Sequence, residues 1–94
     1  LGADLENLDK KIATKNEVEG GVLVKKIRSG GAFSKTRMQN DFIITSVNGI
    51  EVKNVEELGK ALAASQSESV NLEGFYDGYD GMYRYPVKLS AVDE

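Results

Sequence analysis

The chain of 94 residues contains no cysteine, no histidine and no tryptophan, and its single proline is Pro86. Without cysteine there are no disulfides and no thiolate metal sites, an absence compatible with a reducing or an oxidising compartment. The missing histidine excludes more. A Ser-His-Asp triad, a Cys-His pair and a histidine zinc site all need an imidazole, so no catalytic residue, metal site or cofactor is expected here. Serines such as Ser29, Ser34 and Ser65 lack a base partner and read as turn or cap residues. No apolar run approaches the roughly 18 residues needed to span a bilayer. Leu1 to Leu8 shows neither the basic start nor the cleavage pattern of an export signal, and the chain is expected to be soluble. An excess of positive charge is lacking too: 12 Lys+Arg stand against 15 Asp+Glu, a formal net charge of -3. No global positive field is available to hold nucleic acid or an anionic bilayer.

What is present suffices for one modest core, with 40% apolar residues in a chain the size of one domain. We read a single domain over 1–90 and a frayed tail at 91–94. A strand stub lies near Leu1 to Leu5. Leu8 and Ile12, four apart amid lysines, predict a short helix between Asn7 and Asn16. Gly20-Gly21 ends it, and Val22 to Ile27, apolar on both faces, reads as a mostly buried strand. Ala32 to Met38 reads as a helical turn. The apolar run Phe42 to Val47 then meets Asn48-Gly49, the best short hairpin signal because both turn residues need positive φ; Val47 and Val52 are expected to flank that turn. Asn54 stands three before Glu57 and just ahead of Val55, Leu58 and Leu62, the signature of a capped amphipathic helix over about Val55 to Ser65. Val70 and Leu72, then Tyr83, Tyr85, Val87 and Leu89, alternate across a turn at Asp77 to Gly81 and predict a β-hairpin. Pro86 cannot donate to a ladder and should face an open edge or a bulge. The order implies a mainly β fold with two helices, a partly open barrel or sandwich.

From Gly30 to Leu62 this order resembles PDZ domains of bacterial proteases, whose pattern is G-S-P-A-x-x-A-G-L-x-x-G-D-x-I-x-x-V-N-G followed by a helix. Aligned on Val47-Asn48-Gly49, Ile44, Met38 and Gly30 fall on the pattern's isoleucine, leucine and first glycine. Ala32 replaces proline, Thr36-Arg37 replaces Ala-Gly, and Asp41-Phe42 replaces Gly-Asp; Asp41 tolerates the left-handed conformation of the missing glycine. Gly21 to Val24 resembles the family's G-V-x-V strand. The likeness extends to the second, C-terminal PDZ domain of HtrA proteases of the DegP/DegQ type, serine endopeptidases of the periplasm or cell envelope.

The resemblance implies a non-catalytic module that takes apolar peptides, C-termini or unfolded segments by strand addition beside its groove helix, controlling a protease domain elsewhere in the parent. Its other partners would be neighbouring protease and PDZ domains. Val55, Gly59 and Leu62 are the implied groove residues, with Leu58 and Ala61 packing inward. Gly59 either opens a ligand pocket or is a tolerated surface glycine. The carboxylate-holding loop of the family corresponds either to Leu1-Gly2-Ala3 or to residues upstream of Leu1. In the second, favoured alignment Gly2 to Leu5 follows the binding strand. Alternatives are a structural PDZ domain that mediates inter-domain or oligomer contacts, and a PDZ domain of another processing protease or secretion component. Asp77, Asp80, Glu73 and Asp41 lack the ligand alternation of a calcium loop. Tyr76, Tyr79, Tyr83 and Tyr85 with Arg84 could stack bases but read as core or rim packing, since Tyr83 and Tyr85 share the face of Val87.

Overall fold

A computed structural model describes residues 3–31, 33–65 and 69–88. The elements are β1 (Ala3–Asn7), α1 (Lys10–Lys15), β2 (Val22–Ile27), a 3-10 turn (Phe33–Lys35), β3 (Phe42–Val47), β4 (Ile50–Glu51), α2 (Val55–Ala64), β5 (Ser69–Tyr76) and β6 (Tyr83–Lys88). The strands form one antiparallel sheet in the order β1-β2-β3-β5-β6, with β4 paired to β3. It does not close, because β1 and β6 stand at opposite ends. The fold is mainly β with two helices, as expected, and its openness leaves a free strand edge on each side. The tail at 91–94 and Leu89 lie outside the described residues. Among the described residues no helix is long and apolar enough to cross a membrane.

Period-two alternation builds the core. Val22 and Val24 of β2, Phe42 and Ile44 of β3, Val70 and Leu72 of β5 and Val87 of β6 point to one face. Leu58 of α2 packs onto them, as do Phe33 and Met38 of the segment between β2 and β3. Strict alternation would turn Val47 away, yet it too is buried. The ladder between β3 and β5 slips between Ile44 and Ser46, and this bulge resets the phase so that Val47 returns to the core. On the opposite face Leu23, Ile43 and Phe75 stand in cross-strand register. Ile43 and Phe75 are buried there, which explains why β2 and β3 are apolar on both sides.

Local signals account for the turns. Asn48 and Gly49 both adopt positive φ, 52° and 85°, as a two-residue hairpin with native twist requires. Ile50, not Val52, stands opposite Val47, since the turn occupies only two residues. Asp41 adopts φ 75° where the family pattern has glycine. At α2, Asn54 Oδ1 accepts from Glu57 N–H at 2.8 Å. Glu57 Oε1 reaches one residue beyond the usual capping box to accept from Lys53 N–H, also at 2.8 Å. Pro86 lies opposite Asn71 on the outermost strand. Asn71 N–H donates to Asn48 Oδ1 and Asn71 C=O accepts from Asn48 N–H. Its hydrogen bonds therefore point away from β6, and the Pro86 nitrogen faces the open edge.

Helix α1 ends in a Schellman turn: Val18 N–H donates to Ala13 C=O and Glu17 N–H to Thr14 C=O, at 3.0 and 3.1 Å. Glu17 holds the left-handed position of that motif at φ 62°, where an L side chain costs roughly 1 kcal/mol. Glu17→Gly is expected to raise stability by about 0.5–1 kcal/mol in urea unfolding. A lower midpoint would show that the Glu17 side chain contributes more than its backbone strain removes.

Candidate peptide groove

Strand β1 is the outer strand of the sheet on the β2 side, and its orientation can be worked out from one hydrogen bond. Leu8 N–H donates to Gly21 C=O at 3.0 Å, and the β1–β2 register continues this pair to Glu6 opposite Leu23. Antiparallel pairs alternate between bonded and non-bonded, so Glu6 and Leu8 address β2. The N–H and C=O groups of Leu5 and Asn7 therefore face the open edge; the ladder slips between Asp4 and Leu5, but the extra residue is on β2, so β1 keeps its own alternation and Ala3 faces the same way. Side chains of Ala3 and Leu5 are half-buried against the core, whereas Asp4 and Glu6 are exposed. Asp4 pairs with Arg28 of the neighbouring chain segment.

Helix α2 runs beside this edge. Asn7 Oδ1 accepts from Val55 N–H at 2.8 Å, satisfying an amide that the helix leaves without an internal partner. This bond ties the end of β1 to the start of α2. With about 100° per residue, Val55, Gly59 and Leu62 form one stripe on α2, and Leu58 points to the core beside it. Glu57, Lys60, Ala61 and Ala64, on the other flank, line a concavity against Val47, Ile50 and Val52. The Val55-Gly59-Leu62 stripe is thereby left to the β1 side. Val55 and Leu62 are half-buried against the core, Gly59 is exposed, and a Cβ on Gly59 would meet nothing within 4 Å. The candidate site sets edge backbone groups of β1, without partners among the described residues, beside an apolar stripe of α2.

Of the six residues singled out in the sequence, Val55, Gly59 and Leu62 come together on α2 and Ala3 lies on the strand across from it. Leu1 and Gly2 lie outside the described residues. Ala3, Asp4 and Leu5 are part of the edge strand itself, not a segment that follows one. Ala61 is half-buried, at the border between core and the second concavity. Sequence reasoning missed Leu5 and Asn7, the edge residues whose backbone groups are free. Their signal was the Leu5–Leu8 spacing before α1, too short to distinguish strand from connection. Also outside the groove is a tyrosine-lined concavity at the end of the sheet.

No family model matches the chain, and no curated protein matches it. Among solved structures it is similar to the crystal structure of the HtrA3 PDZ domain bound to a phage-derived ligand (FGRWV). That match has a TM-score of 0.75 and 20% sequence identity over 94% of this chain and 81% of the other. At this identity the likeness speaks for the backbone arrangement. The chain has the PDZ fold.

Proposed function

We propose that this domain binds extended polypeptide, C-termini or exposed apolar segments, as an added strand on β1 with side chains against α2. The observation that carries this reading is the free backbone edge of Ala3, Leu5 and Asn7 facing the Val55-Gly59-Leu62 stripe. A strand docked there gains main-chain hydrogen bonds from β1, and alternate side chains meet the helix. The PDZ domain of similar fold is itself a ligand-bound one. We further propose that the domain is the second, C-terminal PDZ module of a bacterial HtrA-like serine protease of the DegP/DegQ type. It would act in the periplasm or cell envelope, presenting peptides to, or restraining, a protease domain that carries the chemistry. The resemblance of Gly30 to Leu62 to that family supports this finer reading.

The test is a titration of isotope-labelled domain with a blocked apolar pentapeptide ending in a free valine carboxylate. A form extended upstream by about 20 residues, to restore a carboxylate loop of the family kind, is titrated in parallel. Saturable shifts are expected at the amides of Leu5, Asn7 and Gly59. Gly59→Leu, which fills open space beside the groove without touching the core, is expected to weaken binding at least ~10-fold, or about 1.4 kcal/mol. If neither form binds saturably while Gly59→Leu disturbs oligomer assembly of the parent protein, the groove is a structural contact and the recognition reading is wrong.

A further inference from the structure

We propose that the tyrosine-lined concavity at the end of the sheet is a second binding site, for the cationic side chain of a basic polypeptide segment. It lies where β3 begins and β5 turns into β6, and its lining includes Tyr76, Tyr79, Tyr83, Tyr85, Asp41 and Asp77. Its lining reaches from Ile12 and Leu23 to Tyr83 and Tyr85 of the edge strand β6 and includes no residue of β1 or α2. The inference therefore stands independently of the function proposed for that groove.

The rings are set at angles to one another around this space. Tyr76 meets Tyr79 edge-on with centroids 6.3 Å apart at 74°, and Tyr83 at 5.1 Å and 82°. Tyr83 and Tyr85 are nearly parallel, at 9° and 6.4 Å. Rings turned this way present π faces from several directions, and a π face attracts a cation held within about 6 Å of its centroid. Two of the rings are fixed in advance. Tyr76 OH accepts from Gln39 N–H at 3.0 Å and shares a 2.8 Å hydrogen bond with Tyr85 OH, and Phe42 packs 5.1 and 5.0 Å behind the two rings. Burial, then the bond to Tyr76, pushes the Tyr85 phenol above its ordinary value. The remaining rings are open: Tyr79 is 72% and Tyr83 39% exposed.

Charge decides the class of ligand. Asp41, in the left-handed conformation at φ 75°, has a carboxylate with no hydrogen bond or ion pair among the described residues. Asp77 is already bonded to Asn16 at 3.0 Å and paired with Lys15 at 3.3 Å, and these lower its carboxyl from the usual value, the Asn16 bond most. Arg84, which alternates with Tyr83 and Tyr85 on β6 and so points to the other side, is paired with Glu73, with Nη2 at 2.8 Å from Oε2. Aromatic faces beside the Asp41 carboxylate, which has no partner among the described residues, suit a guanidinium or ammonium group. They repel a phosphate backbone, even though the rings could stack bases.

The test titrates labelled domain with a blocked Gly-Arg-Gly-Arg-Gly peptide and with its citrulline counterpart, which keeps the shape and removes the charge. Saturable shifts at the amides of Asp41, Tyr79 and Tyr83 are expected with arginine, and at least ~10-fold weaker binding with citrulline. Tyr79→Leu and Asp41→Asn, both exposed and the second tolerant of the same backbone, should each weaken the arginine peptide at least ~5-fold. Neither should alter binding of the apolar peptide at Leu5 and Gly59, so the two sites fail or succeed separately. Equal affinity for the arginine and citrulline peptides, absence of saturable shifts, or tighter binding of oligothymidine at the same amides overturns the proposal.

Discussion

Gly74→Ala is expected to cost at least about 3 kcal/mol, seen as a large drop in the urea midpoint or as loss of the folded state. A Cβ at this position would stand 1.7 Å from the carbonyl oxygen of Ile43, 2.8 Å from its carbonyl carbon and 3.0 Å from Phe42 Cζ. The obstacle is backbone of the neighbouring strand, so no rotamer change relieves it. Gly74 lies opposite Ile44 on one side and Tyr83 on the other. Moving β5 away would open ladders on both flanks. The sign is what makes the experiment decisive, because alanine in place of glycine ordinarily stabilises by restricting the unfolded chain. Gly59→Ala, exposed and with open space at its Cβ, shows that ordinary effect and should gain about 1 kcal/mol within helix α2. A Gly74→Ala midpoint within about 0.5 kcal/mol of the parent would mean that β3 and β5 are not this close.

Phe42→Ala is expected to cost about 3–5 kcal/mol. Its ring is fully buried among Val24, Ile44 and Leu72, with Tyr76 tilted against it at 52° and Tyr85 edge-on at 83°. Truncation would leave a void that the strands cannot close, because Phe42 pairs in register with both Val24 and Tyr76. The loss should extend to the Tyr76–Tyr85 hydrogen bond, so the near-ultraviolet circular dichroism of the tyrosines should weaken in the folded variant. Unfolding that costs less than about 1.5 kcal/mol, with tyrosine signals unchanged, would show that Phe42 is not the support of those rings. Either substitution is large beside the 5–15 kcal/mol that holds a domain together.

Much of the fold was legible because its signals are local. Asn48-Gly49 required positive φ at two successive positions, Asn54 supplied a cap at the start of an apolar stripe, and Pro86 needed an open edge. Each preference depends on a few adjacent atoms and survives in any tertiary setting. Asp41 belongs with these, since a short polar side chain tolerates the conformation that the turn demands. The Val55-Gly59-Leu62 stripe was legible for the same reason, as a spacing on one helix. Of the strand that it faces only a stub near Leu1 to Leu5 was legible, because nothing in Ala3 to Asn7 distinguishes an edge strand from the segment following one until β2 is paired to it.

The sequence by itself therefore determined the element order, the tight turns, the caps and the absence of an imidazole for triad chemistry. All of these are decided by the residues present or by steric preferences within a few positions. Only the tertiary structure decided the phase reset that returns Val47 to the core, the closeness of β3 to Gly74 and the open edge of Leu5 and Asn7. It alone set the four tyrosines beside an Asp41 carboxylate that has no partner among the described residues. Those features depend on strand register, and register is a property of pairs of segments far apart in the chain, chosen by burying both faces of the sheet together.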